Sequence, residues 1–332
     1  MAQPPTLFLT DQDVRAVFDW RDAVAALRRA YAAAAAPALF PPRTMARGDG
    51  RWLRTLSGIA PDGGMMGAKM IAVSLKAKTA SYLIPLFDQE TVALTALLDG
   101  NAITGFRTAA TSALAADALS PAGAWRVAAI GSGFEAKTHV RALASLRPLA
   151  GVTVYSPNPA SRDRFIAELA DIGAPMTQAA SVEAALDGAN LIVCAARSRD
   201  EGPTLKGALL RPGVTVLSIG STLPEQRELD AEAISRAGLI VADMVEEVAH
   251  ETGDMIAARN EGVDFAGKLV GLDAVIGGRH RGRTDPGQIV LYKSVGAAIQ
   301  DLSVATMCVE RARAAGRGTP LPVSISPVVK GE

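Results

Sequence analysis

The stretch RVAAIGSGFEAKTHVRALASL, residues 126–146, constrains the fold more than any other. An apolar run enters a glycine turn and leaves it as a helix. Gly131-Ser132-Gly133-Phe134-Glu135-Ala136 fits the pattern G-x-G-x-x-G/A. In such a turn the first glycine permits the tight bend, the second lets the backbone approach a pyrophosphate, and the third small residue lets the helix pack on the strand. The free N–H groups at the helix start then face an anion. Alone the pattern is weak, but here it opens a series of alternating segments. VTVYS, NLIVCAA, GVTVLSIG and AGLIVAD read as strands, with ASRDRFIAELADIG and SVEAALDGA as helices between them. Alternation at this pace predicts βαβ units and a parallel sheet.

A dinucleotide fold usually places an acidic residue after its second strand, for the ribose hydroxyls. Here VTVYS ends in Ser156 and runs into PNPASRDR, which offers Ser156, Asn158, Ser161, Arg162 and Arg164. Small polar groups with an arginine suit a 2′-phosphate, so NADP(H) is favoured, with NAD(H) as the alternative. The competing reading makes Arg162 and Arg164 solvated residues of a helix start.

Residues before 120 have another character. TLFLT reads as a strand, Thr10 as a helix cap followed by acidic residues, and Ala23–Ala36 as an alanine-rich helix. RWLRTLSGIA, MGAKMIAVSL, SYLIPLFDQ and TVALTALLDG read as strands of an antiparallel or mixed sheet, and TGFRTAATSALAADALS as a helix of small residues. Past about 270, the loop GGRHRGRTDPGQ precedes what reads as one long helix from Ile289 to about Ala315. The tail PLPVSIS is placed as a returning strand. The expected architecture is α/β: a Rossmann domain over 119–298, and an α+β substrate-binding and dimerisation domain formed by 1–118 with 299–332.

Three cations in this first part sit in weakly polar settings: Arg43 in PPRTMAR, Lys69 in MGAKMIAVSL and Arg107 in TGFRTAATSA. A cation inside an apolar strand is costly to bury unpaired. Each must meet solvent, a carboxylate partner or an anionic ligand. Together they suggest a cleft for a carboxylate, with the arginine fork and the lysine point charge as complementary donors. Arg54 reads either the same way, toward a second acidic group, or as a surface residue, the latter being preferred.

Composition excludes several classes. Lys+Arg and Asp+Glu are equal at 34 each, so no charge excess points to nucleic acid or an anionic membrane surface. No apolar run approaches the ~20 residues of a membrane span, and the N-terminus lacks the apolar core of a secretory leader. Cys194 and Cys308 lie in apolar segments and are expected to be buried thiols of a cytoplasmic protein. His139, His250 and His280 have no partners at a metal-binding spacing, so no metal site is expected.

The chain resembles the ornithine cyclodeaminase/μ-crystallin family over nearly its whole length. The resemblance is carried by PPRT (41–44), GAKMIA (67–72), ALLDGNAITGFRTAATSALAA (96–116), GSGFEA (131–136), LSIGSTLPEQRELD (217–230) and LYKSVGAAIQDLSVA (291–305). It implies a homodimer acting on a small amino or imino acid. It implies that Arg43, Lys69 and Arg107 bind the substrate carboxylate and that Gly131, Ser132, Gly133, Phe134 and Glu135 hold the pyrophosphate. Ser156, Asn158 and Arg162 would meet the adenosine ribose or its phosphate. Ala196, Ile219, Gly220 and Ser221 would line the cofactor cleft, and Lys293, Val295 and Gly296 would lie near the nicotinamide. One departure separates the chain from the cyclodeaminases, whose G-G-D-x-P-G-K stretch carries an acid/base aspartate. Here Thr222 stands at that position, as a small hydroxyl residue does in ketimine reductases, and Gln226 replaces the lysine. A threonine cannot act as a carboxylate base. The resemblance therefore implies an NAD(P)H-dependent reductase of a small α-imino acid, cyclic or acyclic, reversible as an amino-acid dehydrogenase, in which Lys69, Arg107 and Thr222 serve the chemistry. Cyclodeamination of ornithine and a non-catalytic, cofactor-stabilised binding role are the alternatives.

Overall fold

Strand β1 (Leu7–Leu9) stops at Thr10, whose hydroxyl accepts from the Asp13 N–H at 3.1 Å while the Asp13 carboxylate accepts from the Thr10 N–H at 3.1 Å. This reciprocal cap starts α1 (Asp11–Val17). Asp19 caps α2 (Trp20–Ala32), which buries Ala23, Val24, Leu27, Ala30 and Tyr31 along one stripe at helical spacing. The helix expected to reach Ala36 ends at Ala32, with Ala33 as its C-cap. Residues 34 and 35 lie outside the described residues, which are 5–33, 36–196, 198 and 200–328 of this computed structural model.

There follow β2 (Thr44–Gly48), β3 (Arg51–Ile59), β4 (Met65–Ser74), β5 (Thr79–Asp88), β6 (Leu94–Asp99) and α3 (Asn101–Leu119). The next run holds β7 (Trp125–Ile130), α4 (Phe134–Leu146), β8 (Leu149–Tyr155), α5 (Pro159–Glu168), β9 (Met176–Gln178), α6 (Val182–Leu186), β10 (Leu191–Cys194), β11 (Thr215–Ser218), α7 (Ala231–Arg236) and β12 (Leu239–Ala242). The chain closes with α8 (Val245–Glu251), α9 (Gly253–Asn260), β13 (Leu269–Gly271), α10 (Leu272–Ile276), β14 (Val290–Lys293), α11 (Ala298–Ala314) and β15 (Thr319–Pro320).

The described residues fall into two units, one within 1–108 and 297–332 and the other within 109–296. The first carries a seven-stranded sheet in the order β15-β1-β6-β5-β4-β3-β2. β1 and β6 are parallel and the other pairs antiparallel, so the sheet is mixed. Helix α11 lies on one face. Gly58 and Gly67 pair across β3 and β4 beneath it. A methyl group on Gly58 would stand 2.6 Å from Phe40 Cδ1 and 3.2 Å from Ala298 Cβ, and one on Gly67 would stand 2.2 Å from the Pro85 carbonyl oxygen and 3.1 Å from Leu302 Cδ2. Glycine at both positions therefore makes room first for the Phe40 ring and the β5 backbone, with α11 in close contact above.

The second unit is an eight-stranded, wholly parallel sheet in the order β13-β12-β14-β11-β10-β7-β8-β9. β10, β11, β12 and β14 are buried at every position, as continuous apolar strands of a sheet covered on both faces should be. Strand order reverses between β7 and β10, the switch point at which ligands bind in open α/β sheets.

Two sequence expectations need correction. Residues from Ile289 do not begin a long helix: Val290–Lys293 is a central strand, and α11 starts only at Ala298. A short apolar run does not distinguish a buried strand from a buried helix, and Gly296, at φ +88°, interrupts the two elements. The C-terminal return to the first sheet is made by Thr319–Pro320 against Phe8 and Leu7, so it overlaps PLPVSIS only at its first residue, Pro320.

Candidate functional site

The register of the parallel sheet sets Tyr155, Ile130, Cys194, Ser218, Lys293 and Ala242 side by side at the strand C-termini. The segments that follow them leave from this one edge. They contain Gly131–Glu135, Ser156–Asn158, Ala196, Ile219–Thr222 and Val295–Gly296. Segments from Gly131 to Gly296 are thus brought to one edge by strand register.

Gly131 has φ +113°, and a Cβ there would lie 2.6 Å from the Ala195 carbonyl oxygen, so only glycine fits. Gly133 is the N-cap of α4, supplies no side-chain cap, and has open space around it. The first N–H groups of α4 therefore suit a pyrophosphate, and the residues present fit a dinucleotide. Phe134 is 46% exposed beside that opening. Behind it, His139 is buried. Its Nδ1 donates to the Glu135 carbonyl at 2.7 Å and its Nε2 accepts from the Ser112 hydroxyl at 3.0 Å. Burial pushes its pKa down to about 4, so it is neutral and structural.

At the end of β8, Asn158 caps α5 through the Ala160 N–H. Arg162 donates from Nη1 to the Ser156 carbonyl at 2.9 Å and from Nε to Gln178 Oε1 at 3.2 Å. The guanidinium is thereby folded back over the strand end, and Arg164 turns to the Ser161 hydroxyl at 2.9 Å.

The loop after β11 is tied down by its own residues. The Ser221 hydroxyl donates to the Gln226 carbonyl at 2.6 Å, and the Thr222 N–H to Gln226 Oε1 at 3.0 Å. Gln226, noted in the sequence only as a departure from the cyclodeaminase lysine, thus shapes the turn that presents Thr222. Beneath lies a buried polar network that sequence reasoning missed. The Ser218 hydroxyl donates to Glu228 Oε2 at 2.8 Å, Lys293 Nζ donates to the Ser218 hydroxyl at 2.9 Å, and Lys293 Nζ meets Asp254 Oδ2 at 2.7 Å. Burial pushes Glu228 up to about 7, against the opposing charge of Lys293. The Lys293 side chain is turned into this network. Asp243 organises the neighbouring segment, accepting from the Ser294 hydroxyl at 2.6 Å, Val295 N–H at 3.0 Å and Gly296 N–H at 2.8 Å.

In the first unit, Lys69 points from β4 to the face covered by α11, and its Nζ donates to Asp301 Oδ1 at 2.8 Å. Arg107 Nε, from α3, reaches the same oxygen at 3.1 Å, and its Nη1 donates to Gln300 Oε1. Gln300 in turn donates to the Tyr31 hydroxyl at 3.0 Å. Lys69 and Asp301 side chains are 0% exposed and Arg107 is 7% exposed. Burial lowers the Lys69 pKa to about 8, aided by the charge of Arg107 and opposed by that of Asp301. Arg43 is half-buried, one residue before β2. Arg54, preferred as a surface residue, is instead only 8% exposed, and its guanidinium carbon sits 5.0 Å from the Trp52 ring centroid.

Asp301 is the chief residue that sequence reasoning missed. The signal was available in part: a lysine inside an apolar strand demands a buried carboxylate. Its position 232 residues away could not be read without the fold. Among the described residues, no cluster of three His, Cys, Asp or Glu side chains could hold a metal ion, and no helix is long and apolar enough to cross a membrane.

The fold and these two clusters define a class: a dinucleotide-binding parallel sheet with a glycine turn at its switch point, on one chain with a mixed sheet that buries cations. Residues 60–316 match the ornithine cyclodeaminase/mu-crystallin family, and the chain belongs to that family. It is 29% identical over 260 residues to a delta(1)-pyrroline-2-carboxylate reductase of Bacillus cereus, covering 76% of this chain and 79% of that one. It is also 29% identical over 222 residues to the mouse ketimine reductase mu-crystallin, covering 67% of this chain and 66% of the mouse protein. The structure of Thermococcus litoralis delta(1)-pyrroline-2-carboxylate reductase, in complex with NADH and L-proline, matches 95% of this chain and 100% of its own length, with a TM-score of 0.86 at 26% identity.

Proposed function

We infer that this protein is an NAD(P)H-dependent reductase of a small α-imino acid. The observation that carries the reading is the buried Lys69–Asp301–Arg107 cluster, in which two cations share one carboxylate oxygen. Asp301 neutralises one charge and fixes both side chains. The remaining positive charge, with Arg43 beside it in the sequence-derived clamp, suits a substrate carboxylate. A clamp of this kind contributes by positioning, holding the C=N carbon in one orientation. Bound NAD(P)H supplies the hydride. The imine carbon gains that hydride, the nitrogen keeps its proton, and an amino acid and NAD(P)+ result. A protonated imine is already electrophilic, so no catalytic carboxylate is needed at position 222. The Thr222 hydroxyl, held by the Gln226 turn, would orient the imine nitrogen.

The pyrophosphate is assigned to Gly131, Ser132, Gly133, Phe134 and Glu135, and the adenosine ribose to Ser156, Asn158 and Arg162. Ala196, Ile219, Gly220, Ser221, Lys293, Val295 and Gly296 are assigned to the rest of the cofactor cleft, Lys293 through its buried bonds. A preference for NADP(H) is supported by the arginine folded over the end of β8, where an acidic residue would otherwise stand. A homodimer is supported by the sheet face opposite Lys69, which exposes Leu53, Ile59 and Leu83. Two free, buried cysteines suit a reducing compartment such as the cytoplasm.

The test is NADPH oxidation with pyrroline-2-carboxylate, piperideine-2-carboxylate and acyclic imino acids, with NADH in parallel. Turnover that prefers NADPH is expected. Release of ammonia from ornithine without net cofactor consumption would replace this reading with cyclodeamination.

A further inference from the structure

Three buried ionisable groups of the second unit are not used by the substrate clamp. Glu228 and Asp254 are 0% exposed and Lys293 is 1% exposed. They meet around Ser218, at the C-terminal end of β11. Two carboxylates thus share one ammonium, and the set is neutral only while one carboxylate holds a proton. A net charge buried away from water is costly, so this set gains or loses a proton more readily than an evenly matched pair.

The contacts say which acid exchanges it. Asp254 Oδ1 accepts from the Glu228 and Leu229 N–H groups at 2.7 and 3.0 Å, and its Oδ2 meets Lys293 Nζ at 2.7 Å. Its charge is matched by one full cation and two backbone dipoles. Glu228 has less. The Ser218 hydroxyl donates to its Oε2 at 2.8 Å, and Lys293 acts on it at one remove, by donating to that hydroxyl at 2.9 Å. The Cys194 thiol, facing the set from β10, is pushed well up by burial and by the Glu228 charge and stays neutral. Burial pushes Glu228 up to about 7, against the pull of Lys293 and with the push of Asp254. Glu228 Oε1 lies against Gly220, where a Cβ would collide with it. The acid is thereby set in contact with the segment Ile219–Ser221, which is assigned to the cofactor cleft.

The two forms of the cofactor differ there by one charge. The nicotinamide ring is a cation in NAD(P)+ and neutral in NAD(P)H, while the phosphates are the same in both. We propose that Glu228 senses the redox state of the bound cofactor, giving its proton to the solvent when NAD(P)+ is bound and keeping it when NAD(P)H is bound. The proposal needs a nicotinamide dinucleotide in the cleft and does not depend on the imine. Only the O–H bond of Glu228 is made or broken, and the proton is exchanged with the buffer. Acid conditions then favour release of NAD(P)+, and alkaline conditions its retention.

The experiment is equilibrium binding of NADP+ and NADPH to the wild-type protein by calorimetry from pH 6.0 to 8.5, without substrate. NAD+ and NADH replace them if the protein prefers that pair. The ratio of the two dissociation constants cancels any titration of the phosphates and the groups that hold them. Unit charges interacting across the effective dielectric of a protein interior shift a protonation equilibrium on the order of 10-fold. Kd(NADP+)/Kd(NADPH) should therefore fall about 5-fold over this range, centred between about pH 6 and 7, and stay flat at its acid-side value in Glu228→Gln. At pH 7, NADP+ binding should release roughly 0.4 proton more than NADPH binding, read from the dependence of the heat on the buffer. That measurement on the wild type decides if Glu228→Gln does not fold. A flat wild-type ratio, a slope that survives Glu228→Gln, or a slope centred near 8, where Lys69 titrates, overturns the proposal. If neither cofactor pair binds, the cofactor assignment falls and the proposal with it. Binding with the expected slope but no turnover of any imine supports the proposal and removes only the imino-acid reductase reading.

Discussion

Replacing Asp301 by Asn tests the centre of the cation cluster without changing its shape. The wild-type carboxylate is 0% exposed and one oxygen serves both Lys69 Nζ at 2.8 Å and Arg107 Nε at 3.1 Å. The amide is isosteric, so no cavity forms, and the loss is electrostatic. Removing one partner of a buried pair costs about 3–5 kcal/mol, because the remaining charge has been desolvated for nothing. Lys69 limits that loss by shedding its proton. Its pKa is already lowered to about 8, and Asp301 is the group holding it up. Without that carboxylate the pKa falls further. A destabilisation near about 3 kcal/mol is therefore expected at pH 7, and a smaller one at pH 9, where Lys69 is mostly neutral in the wild type as well. The assay is urea unfolding followed by tryptophan fluorescence, since Trp20 and Trp52 both belong to the first unit. Lys69→Met combined with Asp301→Asn should cost less than the sum of the single changes by about 2 kcal/mol. A loss below about 1 kcal/mol at pH 7, or additivity of the two changes, would refute the reasoning.

Three further outcomes are expected. Gly131→Ala forces a methyl group to 2.6 Å from the Ala195 carbonyl at φ +113°; strain of about 1–3 kcal/mol should weaken NADPH binding roughly 10- to 100-fold by fluorescence titration. In imine reduction, kcat/KM should fall as pH rises through about 8, where Lys69 loses its charge, and Lys69→Arg should move that limb to higher pH. The His139 pKa is depressed from 6.5 to about 4, so the unfolded chain takes up the proton first. Its contribution is complete above pH 6.5 and lost as pH falls toward 4, by about 3 kcal/mol; His139→Gln should flatten the stability profile across that window.

Much of this protein is determined locally and could be read from the chain. The glycine turn, the alternation of strands and helices after Trp125, the Thr10 cap and the strand periodicities between Arg51 and Asp99 all express short-range sterics and burial. These need no partner distant in sequence. Where local signals are silent, reading failed: β2 (Thr44–Gly48) is a largely exposed edge strand without apolar alternation, and β14 is too short and too apolar to separate from a helix.

The sites divide along the same line. The residue types at positions 69, 107 and 131–136 announced cations and a phosphate cradle from sequence alone. Their partners did not. Asp301 meets Lys69 because α11 packs on the face of β4 that carries Lys69. Arg54 looked like a surface residue because nothing local distinguishes a buried arginine from an exposed one. Glu228, Asp254 and Lys293 meet because parallel register aligns strand ends from distant segments. Sequence by itself determined which chemistry each segment can offer. Tertiary structure alone decided which charges share a buried space, because electrostatic pairing depends on distance through the folded interior and not on separation along the chain.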